Sequence, residues 1–577
     1  MTITSGLPSS RVPFDPLLDF GALIKEAGLT GVLDPNSIAV VDVATGSAIP
    51  AGVTEDFSYG DRGRLEWVIV DPKHATYDVK FTVVVQRPNR EPQESVPLVG
   101  VGDLLRYNVG SPRPIALPYL SRLVDLTGDG KPDLVGCWNY AYRPGWPWDG
   151  IVCYPRTEDP NNFLFGDLTR LRSLKPDNGD GLHHFTSTYM NADLADLNAD
   201  GLVDIIHSPS RGDRLELFLN SGQRDAGGMP VFMAAGSVVR PKDAWEACRA
   251  VDLNGDGAVD LVVGDYYLEN TNRRGWPMAP AAPVRLGAGS RACFADLDDD
   301  GRLDSVCLVE LAKRSPPQGS RVAWKRNLGG TPPRFGPPEP LPQIEDFWCS
   351  DIAAVVDGTR RGLLVQHDVF QMVSFYQQLA VEEGQPRFRK IGRVESKSAV
   401  MSLSDQAWPC LCDWNGDGNL DLLVGGGYGW PRILLNEGTA GQPSFSEPQA
   451  ILSNGEPIRI LLSEVYPGCD GYKHNMGYPY PVFVDWDGDG LSDLMLPNCS
   501  NRLFWYRNVG TRREPRFGPR QQLNAEGFED TPEKRAATGQ ILMSRWEGEL
   551  EPGQAFFWRT GAAFSDFNGD GLMDFVT

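Results

Sequence analysis

An acidic nonapeptide of the form D-x-[DNT]-x-D-G-x-x-D occurs seven times in this chain of 577 residues, beginning at Asp125, Asp196, Asp252, Asp296, Asp413, Asp485 and Asp566. Apolar residues usually flank each copy. A motif recurring at such intervals marks one supersecondary unit repeated along the chain, and that constrains the fold before anything else does. Oxygen side chains at positions 1, 3, 5 and 9, with Gly at position 6 for the sharp turn, follow the logic of a calcium loop, where a hard cation collects about six to eight oxygens. The candidate ligands are Asp125, Thr127, Asp129 and Asp133; Asp196, Asn198, Asp200 and Asp204; Asp252, Asn254, Asp256 and Asp260. They continue with Asp296, Asp298, Asp300 and Asp304; Asp413, Asn415, Asp417 and Asp421; Asp485, Asp487, Asp489 and Asp493; and Asp566, Asn568, Asp570 and Asp574. A single copy also admits the lesser reading of an Asp/Gly-rich turn without metal. Seven in one frame point to about seven structural Ca2+ sites.

Charge supports this. Twenty-three of those positions are aspartate, against a net charge of −22. Without a cation each loop holds three or four carboxylates in mutual repulsion. So acidic a chain is not expected to bind nucleic acid, whose phosphates need a basic surface. No apolar run approaches the roughly 20 residues of a membrane span, so an integral membrane protein is excluded. Residues 1–19 hold no basic start followed by an apolar stretch, so no secretory leader is expected in this chain.

After each motif come a strand, a turn with Asn, Gly or Pro, and another strand, as in LFLNSGQRDAGGMPVFMAAG from Leu217 and RLFWYRNVGTRREPRFGP from Arg502. Each unit therefore reads as four antiparallel strands with the acidic loop in the first hairpin, the form of a propeller blade. Sixty-three Gly and 46 Pro suit short strands and turns and exclude a helical bundle. Trp348 to Gln366 keeps the strand–turn–strand outline without the Asp ladder, a degenerate repeat expected to hold no ion. The last motif is followed only by Phe575–Thr577, whereas Gly102–Leu120 has outer-strand character with no motif before it. The two ends are expected to complete one blade, giving an all-β, eight-bladed β-propeller closed by N- and C-terminal strands, with seven blades as the alternative. Residues 1–96 read as a small β-sandwich-like accessory module with one short helix between Pro13 and Gly31, joined through Gln86–Pro97 to a propeller at 97–577.

Over about residues 97–577 these repeats resemble the FG-GAP/VCBS family of calcium-binding β-propellers, whose members include integrin α-subunit heads, fungal lectins and bacterial polysaccharide lyases. The resemblance is specific for fold and poor for activity. In such a propeller the acidic loops lie on one face and chemistry belongs to the other. Five histidines map near that other face: His183, His184, His207, His367 and His474. Nearby loops carry Tyr189, Tyr472, Tyr478, Arg143 and Arg274, and a G-W-P triplet recurs at Trp146, Trp276 and Trp430. Aromatic faces beside Arg suit sugar rings, although a repeated Trp also packs between blades.

The resemblance implies a carbohydrate-active enzyme, most concretely a lyase cleaving an acidic poly- or oligosaccharide by β-elimination. His183, His184, His207 and His474 are the candidates for proton transfer, with Tyr189, Tyr472 and Tyr478 as donors. Arg143 or Arg274 would pair with the uronate carboxylate, and converging histidines would suit Zn2+. The alternative is a non-catalytic lectin or adhesin, and a structural surface protein is a third reading. A secreted, periplasmic or cell-surface setting also follows from the resemblance. Cys410 and Cys412 share one strand face, as packing more than as ligands. Cys293 and Cys307 flank the loop at Asp296 as cross-strand neighbours, where a disulfide is limited by geometry.

Overall fold

The computed structural model describes the chain except residues 8–9, 11, 92–99, 102–103, 107–111, 139–149, 158–162, 175–181, 186–190, 210–211, 226, 243, 245–246, 311–319, 345–348, 358–359, 368–369, 398, 403–407, 428, 440–442, 462–476, 499–501, 524–530, 534–560 and 577. At 100–101, 104–106, 182–183, 290, 310, 320, 357, 400 and 402 only the backbone is described. The fold is nearly all-β. Among the described residues no helix is long and apolar enough to cross a membrane. The chain divides into two compact units, one of Met1–Val99, Val109–Val309 and Ser320–Ala399, the other of Gly100–Asn108, Glu310–Gly319 and Val400–Thr577.

The first unit opens with short strands around Trp67, which is fully buried and meets Phe14 edge-on at 4.9 Å. The expected helix is Phe20–Glu26, started by Asp19, whose carboxylate accepts the Ala22 N–H at 2.9 Å. The expected linker is tied down at its start: Arg87 pairs with Asp61 at 2.6 Å and donates to the Gly60 carbonyl at 2.9 Å.

Five largely antiparallel sheets follow. In the first, Tyr119–Val124, Asp133–Trp138, Gly150–Tyr154 and Thr169–Arg170 pair in chain order. The others begin with the hairpins Asn191–Ala195/Asp204–Ser208, Cys248–Val251/Asp260–Val263, Ser290–Ala295/Asp304–Glu310 and Asp351–Asp357/Arg360–His367. Arg172–Leu174 and Leu182–His184 extend the outer edge of the second sheet. Alternating side chains give the sheets apolar faces, and facing sides of successive sheets pack together. Ile151 and Cys153 of the first meet Ile205 and Phe232 of the second. Leu215 and Val238 meet Leu261 and Val263 of the third, and Val262 and Tyr267 meet Ala292 and Cys307 of the fourth. Val322 and Trp324 meet Val365 and Tyr376 of the fifth.

The fifth sheet is bonded to the segment that leads into the first. Ile115 donates to Val394 at 2.8 Å, Leu117 to Gln371 at 3.0 Å, and Val373 to Ile115 at 3.1 Å. The inner strands are tied by charge as well. Arg122 pairs with Asp193 through Nε at 2.8 Å and donates to the Ala250 carbonyl at 3.0 Å. Arg249 pairs with Asp351 at 3.2 Å and donates to the carbonyls of Leu120 at 3.2 Å and Ile352 at 3.0 Å. Asp351 in turn accepts the Leu120 N–H at 2.9 Å. Asp193 and Asp351 are wholly buried, so these bonds compensate charges that water does not reach.

The second unit holds sheets beginning with Trp408–Cys412/Asp421–Gly425 and Val482–Val484/Asp493–Pro497, and the hairpin Ala563–Ser565/Asp574–Val576. The pairing expected between the chain ends is not the one present. Leu104–Arg106 pairs with Val400–Ser402, and Arg113–Pro114 pairs with Glu395–Ser396. Among the described residues the C-terminal hairpin gains no third strand. The reason is occupancy: the backbone groups of Ile115 and Leu117 already serve the fifth sheet.

The register also decides the thiols. Cys293 faces Val306 across the hairpin, so Cys307 points to the opposite face, and the two lie in different apolar clusters, both free. Cys410 and Cys412 pack against the same apolar cluster.

Candidate functional site

All seven acidic loops join the first and second strands of a sheet. Positions 4 and 6 adopt positive φ, 80° and 83° at Gly128 and Gly130, which glycine accepts without strain. Ala199 and Asp299 take the position-4 turn at 60°, a strained conformation for a residue with a Cβ. The first carboxylate organises the turn: Asp125 accepts the N–H groups of Gly128 at 2.7 Å and Gly130 at 2.9 Å, and Asp485 and Asp566 do the same in their loops.

Position 9 is a buried staple. Asp204 accepts from Leu197 N at 2.8 Å and from Asn220 N at 2.7 Å, and Asp304 and Asp493 repeat the arrangement with Asn327 and Asn508. Burial pushes the Asp204 and Asp304 carboxyls up to about 6. The Asn partner closes the corner by donating from Nδ2 to the position-8 carbonyl, as Asn327 does to Leu303 at 2.9 Å. This Asn was missed in the sequence reading. Its signal is N-x-G, at Asn220, Asn327, Asn436 and Asn508.

The donor set suits a hard cation. Carboxylate oxygens of Asp296, Asp298 and Asp304 lie within 4.8 Å of one another, as do those of Asp485, Asp487 and Asp493. The Asp298 Oδ1 atom is buried without a hydrogen-bond partner. A carboxylate offers about four lone-pair sites, so the backbone bonds at position 9 leave room for an ion. Half-exposed arginines balance part of the charge: Arg326 sits 2.9 Å from Asp298, and Arg507 sits 2.7 Å from Asp487 and 2.9 Å from Asp489. In three loops the position-3 Asn turns its Nδ2 to the position-5 carboxylate, at 2.9 Å in Asn198–Asp200, 3.0 Å in Asn415–Asp417 and 3.1 Å in Asn568–Asp570.

The candidate proton-transfer residues are placed less openly than expected. His207 lies inside Asp204–Ser208, not after it, because the strand runs on to pair Asn191 with Ser208. It is 4% exposed, bonds Glu216 directly across the sheet at 2.8 Å, and meets Phe185 and Phe218 edge-on. His184 lies on the outer edge strand of the same sheet, with Nε2 3.2 Å from Arg172. His183 pairs in register with Ser173. His367 ends its strand, 3.0 Å from Ser374. Among the described residues no histidine joins a group of three metal-ligating side chains. Tyr478 is 2% exposed, and Arg274 is exposed on a turn two residues before Trp276. Arg143, Tyr189, Tyr472, His474 and Trp146 lie outside the described residues. Trp276 packs against the apolar cluster of the second and third sheets, and Arg459 lies 4.9 Å over Trp430.

The N-terminal residues contribute a cluster that sequence reasoning did not find. Arg170 pairs with Glu55 and with Asp56 at 3.1 Å, while Arg172 stacks on Tyr59. Burial lowers the Arg172 guanidinium to about 10, against the pull of Glu55 and Asp225.

Residues 196–263, from the second sheet into the third, match the family model of the FG-GAP-like repeat. That stretch carries the Asp196 and Asp252 motifs, and the five others share its Asp ladder. No curated protein matches the chain. Among solved structures, BBS1N in complex with ARL6DN aligns at 12% identity over 68% of this chain and 93% of that one, with a TM-score of 0.23. The periplasmic gluconolactonase PpgL of Pseudomonas aeruginosa aligns at 12% identity over 68% and 95%, with a TM-score of 0.20.

Proposed function

We propose that the chain is a cation-stabilised β-propeller scaffold that binds carbohydrate without turning it over. The observation carrying this reading is the state of the described proton-transfer candidates. His207 is sealed between Phe185, Phe218 and Glu216, Tyr478 is buried, and Arg172 engages His184. A general base needs hydrogen-bond reach to a substrate proton, and buried, partnered groups favour binding over catalysis. Ca2+ at the acidic loops is structural in this reading, holding the first hairpin of each sheet. An extracellular or periplasmic setting suits such sites. In the first unit, the bonds from the fifth sheet to the first favour a closed ring of five sheets over one ring of eight blades.

A lyase is the second reading, and one observation favours it. His184, Arg172 and Tyr59 gather at the outer edge of the second sheet, supplying the base, cation and donor types that β-elimination uses. One screen separates the two. The purified chain is incubated with neutral and uronate-containing polysaccharides, following both retention on the polymer and absorbance of new unsaturated ends. Retention without new absorbance supports binding; sustained absorbance growth refutes it; neither signal removes both readings.

A further inference from the structure

Between the strand Pro230–Val239 of the second sheet and the turn before the third sheet's last strand lies a cavity of about 450 Å3. That is within the range of small-ligand sites, roughly 300–1,000 Å3. Its apolar wall is Leu217, Trp276 and Met278, all packed in the cluster shared by the two sheets. Its polar wall is the strand Pro230–Val239, which bulges where Leu217 and Phe218 pair with Gly236 and Ala234.

The charge on its lining is positive. Among the described residues Arg214 and Arg240 line it and no carboxylate does, in a chain whose net charge is −22. Arg240 is 7% exposed and set by Ser208 Oγ at 2.9 Å, a fixed positive charge. Arg214 is exposed and donates to Ser237 Oγ at 2.6 Å and to the Ser237 carbonyl at 3.1 Å, a second positive charge on the lining.

We propose that this cavity binds a carboxylate-bearing sugar ring, a uronate unit of an acidic glycan. The proposal rests on the binding reading above and adds its site and ligand class. A carboxylate matches the guanidinium fork, the ring's CH face matches Trp276 and Met278, and its hydroxyls match Ser237.

The test is calorimetric titration of the full chain at fixed ionic strength with three probes: an oligouronate, the neutral oligosaccharide of the same linkage, and a simple aliphatic carboxylate. The oligouronate is expected to bind at least about tenfold more tightly than either control, one charge-assisted hydrogen bond or ring contact being of that size. Arg214→Ala and Trp276→Ala should each weaken it about tenfold. Arg214 is exposed, so its variant keeps the parent's melting temperature and guards against misfolding of the Trp276 variant. Equal affinity for acidic and neutral sugars, or for the simple carboxylate, overturns the ligand class. Oligouronate binding untouched by both substitutions overturns the site while the binding reading survives. Binding of none of the probes, with no retention on any polysaccharide, removes both.

Discussion

Replacing Asp351 by Ala removes the acceptor on which three inner strands of the first unit converge. Its carboxylate, wholly buried, takes the Leu120 N–H at 2.9 Å and faces Arg249 at 3.2 Å. Arg249 is itself buried, its side chain 5% exposed, so the substitution strands a guanidinium in a dry site. Breaking one side of such a pair costs about 3–5 kcal/mol, because the remaining charge stays desolvated. The lost acceptor for Leu120 falls within the same range. Against a total stability of about 5–15 kcal/mol that is a large fraction. At roughly 2 °C per kcal/mol for a large domain, the transition of this unit should fall by about 8 °C. Scanning calorimetry, with urea unfolding followed by Trp fluorescence, measures it. Pairing Asp351→Leu with Arg249→Met should recover most of the loss, since an apolar pair in place of a buried ion pair is often neutral. An Asp351→Ala protein melting within about a degree of the parent would refute the reasoning, and with it the contact between the fifth sheet and the first.

Three further outcomes are expected. Excess chelator should lower the melting temperature, since each ion held at about 100 times its Kd contributes about 2.7 kcal/mol; an unchanged curve removes the cation from the acidic loops. The hydrogen bond from His207, with burial opposing it, holds the Glu216 carboxyl below the usual glutamate range, so its stabilisation is present above the unfolded value and lost as pH falls through the folded one. Glu216→Gln should therefore melt slightly lower at neutral pH, by about a degree because Glu216 is half exposed, and the gap should close below about pH 4; a gap widening in acid contradicts the pairing. Burial pushes the thiols of Cys137, Cys248 and Cys293 up to about 12, so native iodoacetamide labelling mapped by mass spectrometry should spare them. Rapid modification of Cys293 would contradict its placement in the core.

Whatever lies within nine residues was legible from the sequence. The Asp ladder, the glycine at position 6 and the flanking apolar runs specify a hairpin locally, and all seven hairpins are present. So was the short helix, because its cap and apolar positions are neighbours in the chain. The position-9 aspartate looked like a ligand alone, yet it also anchors an Asn 16 residues further on at Asn220 and 23 further on at Asn327. Tertiary structure decided the rest. Leu120 and Asp351 stand 231 residues apart, and nothing local in either strand announces that they meet. The burial of His207 depends on a strand running one residue past it and on Phe185, just beyond the end of another strand, and the separation of Cys293 from Cys307 depends on a one-residue register. Local turn chemistry is set by backbone sterics and nearby oxygens, whereas the choice of partner strand, and hence which side chains are sealed or exposed, is set by packing energies that exist only once the sheets have come together.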